Sequence, residues 1–365
     1  MKITFTIPFA HLTGGIRSIF ELSNALAKRG HDCFVASPHR PYPLGTTLRG
    51  KVKRSILGFA DRALPRWLSH RNGEDHTGWL DQRFSFKEVR YLTDDYLPVS
   101  DYVVATNWKT ASWVSALDNS RGKKSYLVFD IETWDRGRFP VEEVEKTYHL
   151  IPHLITYSDF VAEELQARFN RRASGRFTLG VNTERFYPDP NVKKDESQIR
   201  VCMMMRLQPH KGMIDGLKVF ERIRQWRPNI CLVGFGSREV EHLAPPHVEF
   251  HLFPSDDELR RIYSSCDIFL TSSKREGFNL PPMEAMACGC AVVATRTGAI
   301  PEFAIQNETI LMREVGDIEG LSKDIISLID HPHEMKRIAN NSHQAIKAYS
   351  WDNSARLFEG ALQNV

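Results

Sequence analysis

The 365-residue sequence has no long apolar run. Nothing in it reaches the roughly 18–20 residues that a membrane-spanning helix requires. Met1-Lys2-Ile3-Thr4-Phe5-Thr6-Ile7 is too short, and too polar at alternate places, for a signal peptide. A large net charge is missing too. Lys and Arg number 48 against 45 Asp and Glu, or +3, which argues against nucleic acid as a partner. Cysteine is scarce: Cys33, Cys202, Cys231, Cys266, Cys288 and Cys290, most of them inside apolar, strand-like runs where a thiol acts as a small hydrophobe. Cys288 and Cys290 have no second Cys/His cluster with which to build a metal site. A reducing cytoplasm is the expected compartment. Also absent are internal repeats, low-complexity tracts, and a third glycine after Gly14-Gly15, so the NAD fingerprint is not met.

What is present is a succession of short apolar runs alternating with helical patterns. Residues 2–7 read as a strand. A loop with Gly14-Gly15 follows, then a helix carrying Ile16, Ile19, Phe20, Leu22, Ala25 and Leu26, stopped by Lys28-Arg29-Gly30. Cys33-Phe34-Val35-Ala36 is the next strand. Strand, glycine loop, helix, strand is the opening of a doubly wound parallel sheet. Further strands are expected at Tyr102–Thr106, Ser125–Phe129 and Leu154–Tyr157, the last followed by Ser158 as a helix cap. The pattern restarts at Ile199–Met205 after a charged linker near Asn170–Ser174 and a Pro/Asp/Lys-rich stretch. It continues through a helix at Met213–Trp226, strands at Asn229–Gly236 and Val248–Leu252, and a capping box at Ser255-Asp256-Asp257-Glu258. Three helical patterns close the chain, at residues 317–329, 333–348 and 351–362.

The charge is unevenly placed. Residues 1–185 hold 27 Lys/Arg against 21 Asp/Glu, and the remainder 21 against 24. Much of the excess lies in residues 51–71, where Val52, Ile56, Leu57, Ala60, Leu64, Trp67 and Leu68 recur at helical spacing among six cations. Such a segment can lie on an anionic membrane or pack as an ordinary helix.

The most informative stretch is Arg275 to Gly289, between one strand-like run (Cys266–Thr271) and another (Ala291–Ala294). Glu276 and Glu284 bracket a glycine-led turn, two prolines and the start of a helix. Proline is tolerated in a helix's first turn. Free backbone N–H groups there, with the helix dipole behind them, attract an anion. Glu284 is expected in that first turn. Arg206 and Lys211 follow a neighbouring strand on a loop entering a helix, and two such cations suit a diphosphate. Each carboxylate can accept two hydroxyl hydrogens, so each could hold a sugar ring. A ligand with both hydroxyls and phosphate fits the set. Asn107-Trp108 and Asp130-Ile131-Glu132-Thr133-Trp134 end two strands and are further candidates, as is a divalent-metal motif imitated by Asp130 and Glu132.

These residues carry a resemblance. The chain is similar to retaining, family 4-type glycosyltransferases, in its E-x7-E pattern from Glu276 to Glu284. Gly14-Gly15, Gly180-Val181-Asn182-Thr183-Glu184-Arg185-Phe186, Arg206 with Lys211-Gly212, and Ser350-Trp351 support it in the family's order. The resemblance implies the GT-B fold, an α/β architecture of two Rossmann-like, doubly wound parallel-sheet domains facing across a cleft. It would put an acceptor-binding domain at 1–175, a donor-binding domain at 176–348, and at 349–365 a helix crossing back onto the first. It implies transfer of a hexose or deoxyhexose from a nucleotide-diphosphate sugar to a glycan or lipid-linked acceptor, with no cofactor and no obligatory metal. Glu276, Arg206 and Lys211 would be catalytic. The donor would be held by Gly15, Arg206, Lys211, Phe253, Glu276, Gly277, Phe278, Asn279, Leu280 and Glu284. The acceptor side would draw on Gly14, Arg17, Asn107, Asp130 and Glu132. Many relatives carry a histidine where Asn107 stands, and this departure resembles branches that make polysaccharide or rhamnose-containing glycans. A sugar-nucleotide epimerase of the same fold and a non-catalytic sugar-nucleotide-binding subunit are the alternatives.

Overall fold

Short apolar runs with few polar interruptions mark strands buried on both faces, and the runs named above become strands. The computed structural model describes all residues except 11–12, 40–81, 133–140, 196 and 365; the basic segment at 51–71 and Thr133-Trp134 lie outside the described residues. Two units account for the chain. The first takes Met1–Thr156, Ala162–Phe177 and Ala355–Val365, and the second Tyr157–Val161 and Thr178–Ser354.

In the first unit, β1 (Lys2–Thr6), β2 (Asp32–Pro38), β3 (Ser85–Val89), β4 (Tyr102–Ala105), β5 (Lys123–Val128), β6 (His153–Thr156) and β7 (Gly175–Arg176) form one sheet. Its order is β3-β2-β1-β4-β5-β6-β7, every pair parallel. Between β1 and β2 runs α1 (Gly14–Lys28), capped by Thr13, whose hydroxyl accepts from Ile16 N at 3.4 Å. Gly14 and Gly15 are therefore in the helix's first turn rather than in the loop before it. α2 (Trp108–Ser115) follows β4, α3 (Val141–Thr147) follows β5, and α4 (Asp159–Phe169) follows β6. The sequence did not announce β3, a mostly exposed edge strand whose polar residues resemble a loop.

The second unit repeats the design. β8 (Arg200–Met205), β9 (Cys231–Gly236), β10 (Val248–Leu252), β11 (Ile268–Thr271), β12 (Ala291–Thr295) and β13 (Leu311–Arg313) form a parallel sheet in the order β10-β9-β8-β11-β12-β13. Its helices are α5 (Met213–Trp226), α6 (Arg238–Glu241), α7 (Asp256–Ser265), α8 (Leu280–Ala287), α9 (Ile300–Phe303), α10 (Ile318–Asp330) and α11 (Pro332–Ile346). The core joins Val201, Met203 and Leu270 of the sheet to Val219, Phe220, Ile325 and Ile338 of the helices. Burying each such side chain stabilises by about 1.5–3 kcal/mol before chain entropy is counted.

The final helix, α12 (Trp351–Gln363), starts in the second unit and ends in the first. There Phe358 is fully buried, with its ring 5.7 Å from that of Phe5 and 5.1 Å from that of Phe177. Glu359 accepts from Arg29, and His31 Nε2 lies 2.8 Å from its carboxylate.

Candidate functional site

Sheet order decides where a ligand can enter. In the second unit the chain moves one way from β8 to β9 and β10, then returns to lay β11 on the other side. The loops leaving β8 and β11 thus diverge at their carboxyl ends, the position where open parallel sheets take ligands. Arg206 to Gly212 leaves β8, and Ser272 to Asn279 leaves β11.

The two loops are held together by their backbones. Lys274 N donates to His210 O at 2.7 Å, and Ser272 Oγ to Gly212 O at 2.9 Å. Gly212 has φ 67°, and a Cβ there would sit 1.8 Å from Ser272 O. Such proximity requires glycine. Gly298 (φ 57°) plays the same part on the other side, where a Cβ would lie 2.4 Å from Glu276 O.

This framework brings Lys211 and Glu276 together, Nζ to Oε2 at 2.7 Å. Glu276 is 6% exposed, and its other oxygen accepts from Ser273 Oγ at 2.8 Å. An ionised carboxylate has about four lone-pair sites, so capacity for ligand hydroxyls is left. Arg206 is exposed at the end of β8.

Asn279 begins α8 with φ 80° and ψ 81°, left-handed backbone that asparagine tolerates better than most residues. Pro281 and Pro282 follow Leu280 in the first turn, so two of the helix's early N–H donors do not exist. The backbone donors of this segment come down to Gly277, Phe278, Asn279, Leu280 and Met283. Phe278 itself is buried, stacked on Phe303 at 5.6 Å and edge-on to Tyr157 at 5.4 Å. Its side chain builds the core.

Glu284 is not in the first turn. It is the fifth residue of α8, buried, with Tyr263 Oη donating at 3.4 Å. The helix opens at Leu280, ahead of both prolines, which carries Glu284 into the second turn. Burial, and then the nearby Glu284 carboxylate, push the Tyr263 phenol well up. Phe253 follows β10 with φ 45° and 64% exposure, an open aromatic face on a left-handed backbone, and its N–H donates to Gly236 O at 2.8 Å.

The first-unit candidates fall into two groups. Gly14, Gly15 and Arg17 lie at the start of α1, and a Cβ at either glycine would meet nothing within 4 Å. The other group centres on Glu132, after β5. Its carboxylate accepts from Asn107 Nδ2 at 2.8 Å and from Trp108 N at 2.9 Å, while Asn107 Oδ1 accepts from Lys109 N at 3.0 Å. Asn107 is thus the N-cap of α2, and Glu132 covers the same helix end. Burial outweighs those hydrogen bonds and pushes the Glu132 pKa up to about 8. Asp130 Oδ1 accepts from Ile131 N at 2.7 Å, a local turn. Among the described residues no three His, Cys, Asp or Glu side chains gather as a metal site. All six cysteines are free thiols.

Sequence reasoning passed over Ser273, which holds Glu276, and Thr271 and Thr295, which bond to Ser273. Their signal was faint, since small hydroxyl residues closing a strand look like turn residues.

With this geometry in view, residues 188–345 match the family described as glycosyl transferases group 1. This match lies within the second unit. That span contains Arg206, Lys211, Phe253, Glu276 and Glu284, and excludes the first-unit candidates. Among curated relatives, the MMP alpha-(1->4)-mannosyltransferase of Mycolicibacterium hassiacum is 27% identical over 251 residues, covering 62% of this chain and 58% of the relative. A GDP-mannose-dependent alpha-(1-6)-phosphatidylinositol monomannoside mannosyltransferase of Mycolicibacterium smegmatis is 26% identical over 206 residues, 49% of this chain and 54% of the relative. The matches thus span a little over half the length of these relatives. Among solved structures, Anabaena HepE in complex with UDP and glucose has a TM-score of 0.73 at 16% identity, covering 100% of both chains. Sucrose-phosphate synthase from Thermosynechococcus elongatus has a TM-score of 0.72 at 16% identity, covering 100% of this chain and 98% of the other. At such identity the likeness is one of fold, and it gives the chain the GT-B architecture.

Proposed function

We propose that the protein transfers a hexose or deoxyhexose from a nucleotide-diphosphate sugar to a hydroxyl of a glycan or lipid-linked acceptor, retaining the anomeric configuration. The observation that carries this reading is the meeting of Lys211, Glu276 and Ser273 where the β8 and β11 loops diverge. In the reaction the bond from the anomeric carbon to the diphosphate oxygen breaks, and the acceptor oxygen bonds to that carbon on the face being vacated. The acceptor proton passes to the departing diphosphate. Negative charge grows on the leaving phosphate, and Arg206 and Lys211 offset it. Glu276 accepts hydroxyls of the donor sugar and Glu284 those of the ribose, while backbone N–H groups of Gly277 to Leu280 reach the sugar and phosphates. Phe253 offers a face for the base. Gly15 serves the diphosphate. The acceptor is taken by the first unit, on the side of Gly14, Arg17, Asn107, Asp130 and Glu132.

The names of the relatives support a nucleotide sugar as donor and leave the base open. One curated relative is GDP-mannose-dependent, and the Anabaena protein was solved with UDP-glucose. A thermal-shift screen of UDP, GDP, ADP and dTDP sugars tests this directly. At 100 times Kd the matching donor adds about 2.7 kcal/mol, or roughly 3–6 °C. No shift with any of them would overturn the reading. Donor converted to an isomer without acceptor would identify an epimerase instead, and proton NMR of the product reads the anomeric configuration.

A further inference from the structure

Glu276 sits at the end of a chain of buried side chains whose proton directions can all be assigned. Its carboxylate accepts from Ser273 Oγ at 2.8 Å, so the Ser273 proton points to Glu276. Ser273 Oγ lies 3.4 Å from Thr271 Oγ1, and with its own proton committed it must accept from Thr271. Thr271 Oγ1 in turn accepts from Asn279 Nδ2 at 3.3 Å. Every group runs the same way: Asn279 to Thr271, Thr271 to Ser273, Ser273 to Glu276. From the opposite side, Lys211 Nζ closes on Glu276 at 2.7 Å. Thr295 Oγ1 donates to Ser273 O and fixes the backbone beneath. Thr271, Ser273, Glu276, Asn279 and Thr295 are each under 10% exposed.

We infer that Thr271 and Ser273 are positioning residues for the donor sugar, acting through Glu276 as a one-directional hydrogen-bond relay that starts at the N-cap of α8. Donors aligned head to tail polarise one another, and a fully satisfied buried chain admits a single geometry. One relay member, Asn279, also sets the backbone of the segment that offers N–H groups to the ligand. The carboxylate and those N–H groups are therefore held as one piece, and each Glu276 oxygen keeps a fixed free direction for a sugar hydroxyl. Such aim matters because a displacement near 1 Å at a positioning group can cost about 100-fold in rate.

This inference rests on the role proposed for Glu276, and the experiment separates the two. Full-length S273A, T271V, T271S and E276Q, with the double variant S273A/E276Q, are assayed with the donor found by the thermal screen, after circular dichroism and melting confirm folding. S273A should lower kcat about 10- to 100-fold with KM for donor changed less than about threefold, the scale of a lost hydrogen bond to a charged group. T271V should lose about three- to tenfold, and T271S should recover most of it. In the E276Q background S273A should add almost nothing, because the relay then has no carboxylate to aim. Additive losses in S273A/E276Q, or S273A and T271V within twofold of wild type while E276Q is crippled, would overturn the relay alone. Full activity in E276Q would overturn the proposed role of Glu276 itself.

Discussion

The two units share one strand order and differ in what stands where that order reverses. In the second unit the loops after β8 and β11 are locked by glycines and carry an ion pair, half-buried Lys211 with buried Glu276. The first unit reverses between β1 and β4, and what joins these strands is neutral: Thr106 Oγ1 donates to Thr6 O at 2.9 Å. Glu132, a carboxylate pushed well up by burial, is turned onto the end of α2. A common scaffold thus yields a charged site with fixed loops in one unit and a capped, uncharged strand junction in the other. A site for phosphate needs the first kind; a surface for varied acceptors can be built on the second.

The sharpest way to break this comparison is to remove its charged half. K211A and E276A should each lower kcat/KM by about 10²–10⁴-fold, the range for losing a group that stabilises developing charge or orients the reacting sugar. E132Q should stay within about tenfold. Equal losses in steady-state assays would mean that the two strand ends contribute alike.

Glycines give the next contrast. Gly212→Ala forces a side chain against Ser272 O at a left-handed φ and should destabilise by about 3 kcal/mol or more in chemical denaturation. Gly15→Ala meets nothing and should leave stability within about 0.5 kcal/mol. Its activity should nonetheless fall, about tenfold, if backbone at Gly15 approaches the diphosphate. An inert Gly15→Ala would remove that residue from the donor set.

A smaller effect distinguishes the carboxylates by pH. The pKa of Glu132 is raised to about 8 in the folded chain, against about 4.3 unfolded. The folded state therefore holds the proton more tightly. Stability from this group is fully present below about pH 4 and drains away as pH rises through about 8. The melting temperature of E132Q relative to wild type should climb between pH 5 and 8.5. A flat difference would show that Glu132 stays ionised throughout. The smallest effect expected is weak, salt-sensitive flotation with anionic liposomes, through residues 51–71. Equal flotation with neutral liposomes would remove that contact.

Much of this was legible in the sequence, for physical reasons that also explain the misses. Strands such as Ile268–Thr271 and Ala291–Thr295 were plain because burial on both faces demands continuous apolar runs. β3 was not, because an edge strand exposes polar residues. The E-x7-E segment stood out through its glycine, prolines and acids, yet Glu284, expected in the first turn of α8, lies in the second. Asn107 read as a free strand-end amide, whereas its oxygen caps α2 and its nitrogen holds Glu132. Such pairings join residues 25 apart, and no local pattern encodes them. The relay through Thr271 and Ser273 was invisible for a related cause, since hydroxyl direction depends on which neighbour has already used its proton.

The division of α12 has a genetic consequence. Phe358, which fills the space beside Phe5 and Phe177, is encoded after everything that forms the second sheet. Neither unit is a contiguous stretch of gene. A chimera made by exchanging residues 1–175 would carry a foreign sheet with the wrong aromatic plug. Exchange of the first unit between relatives has to include the codons for Ala355–Val365.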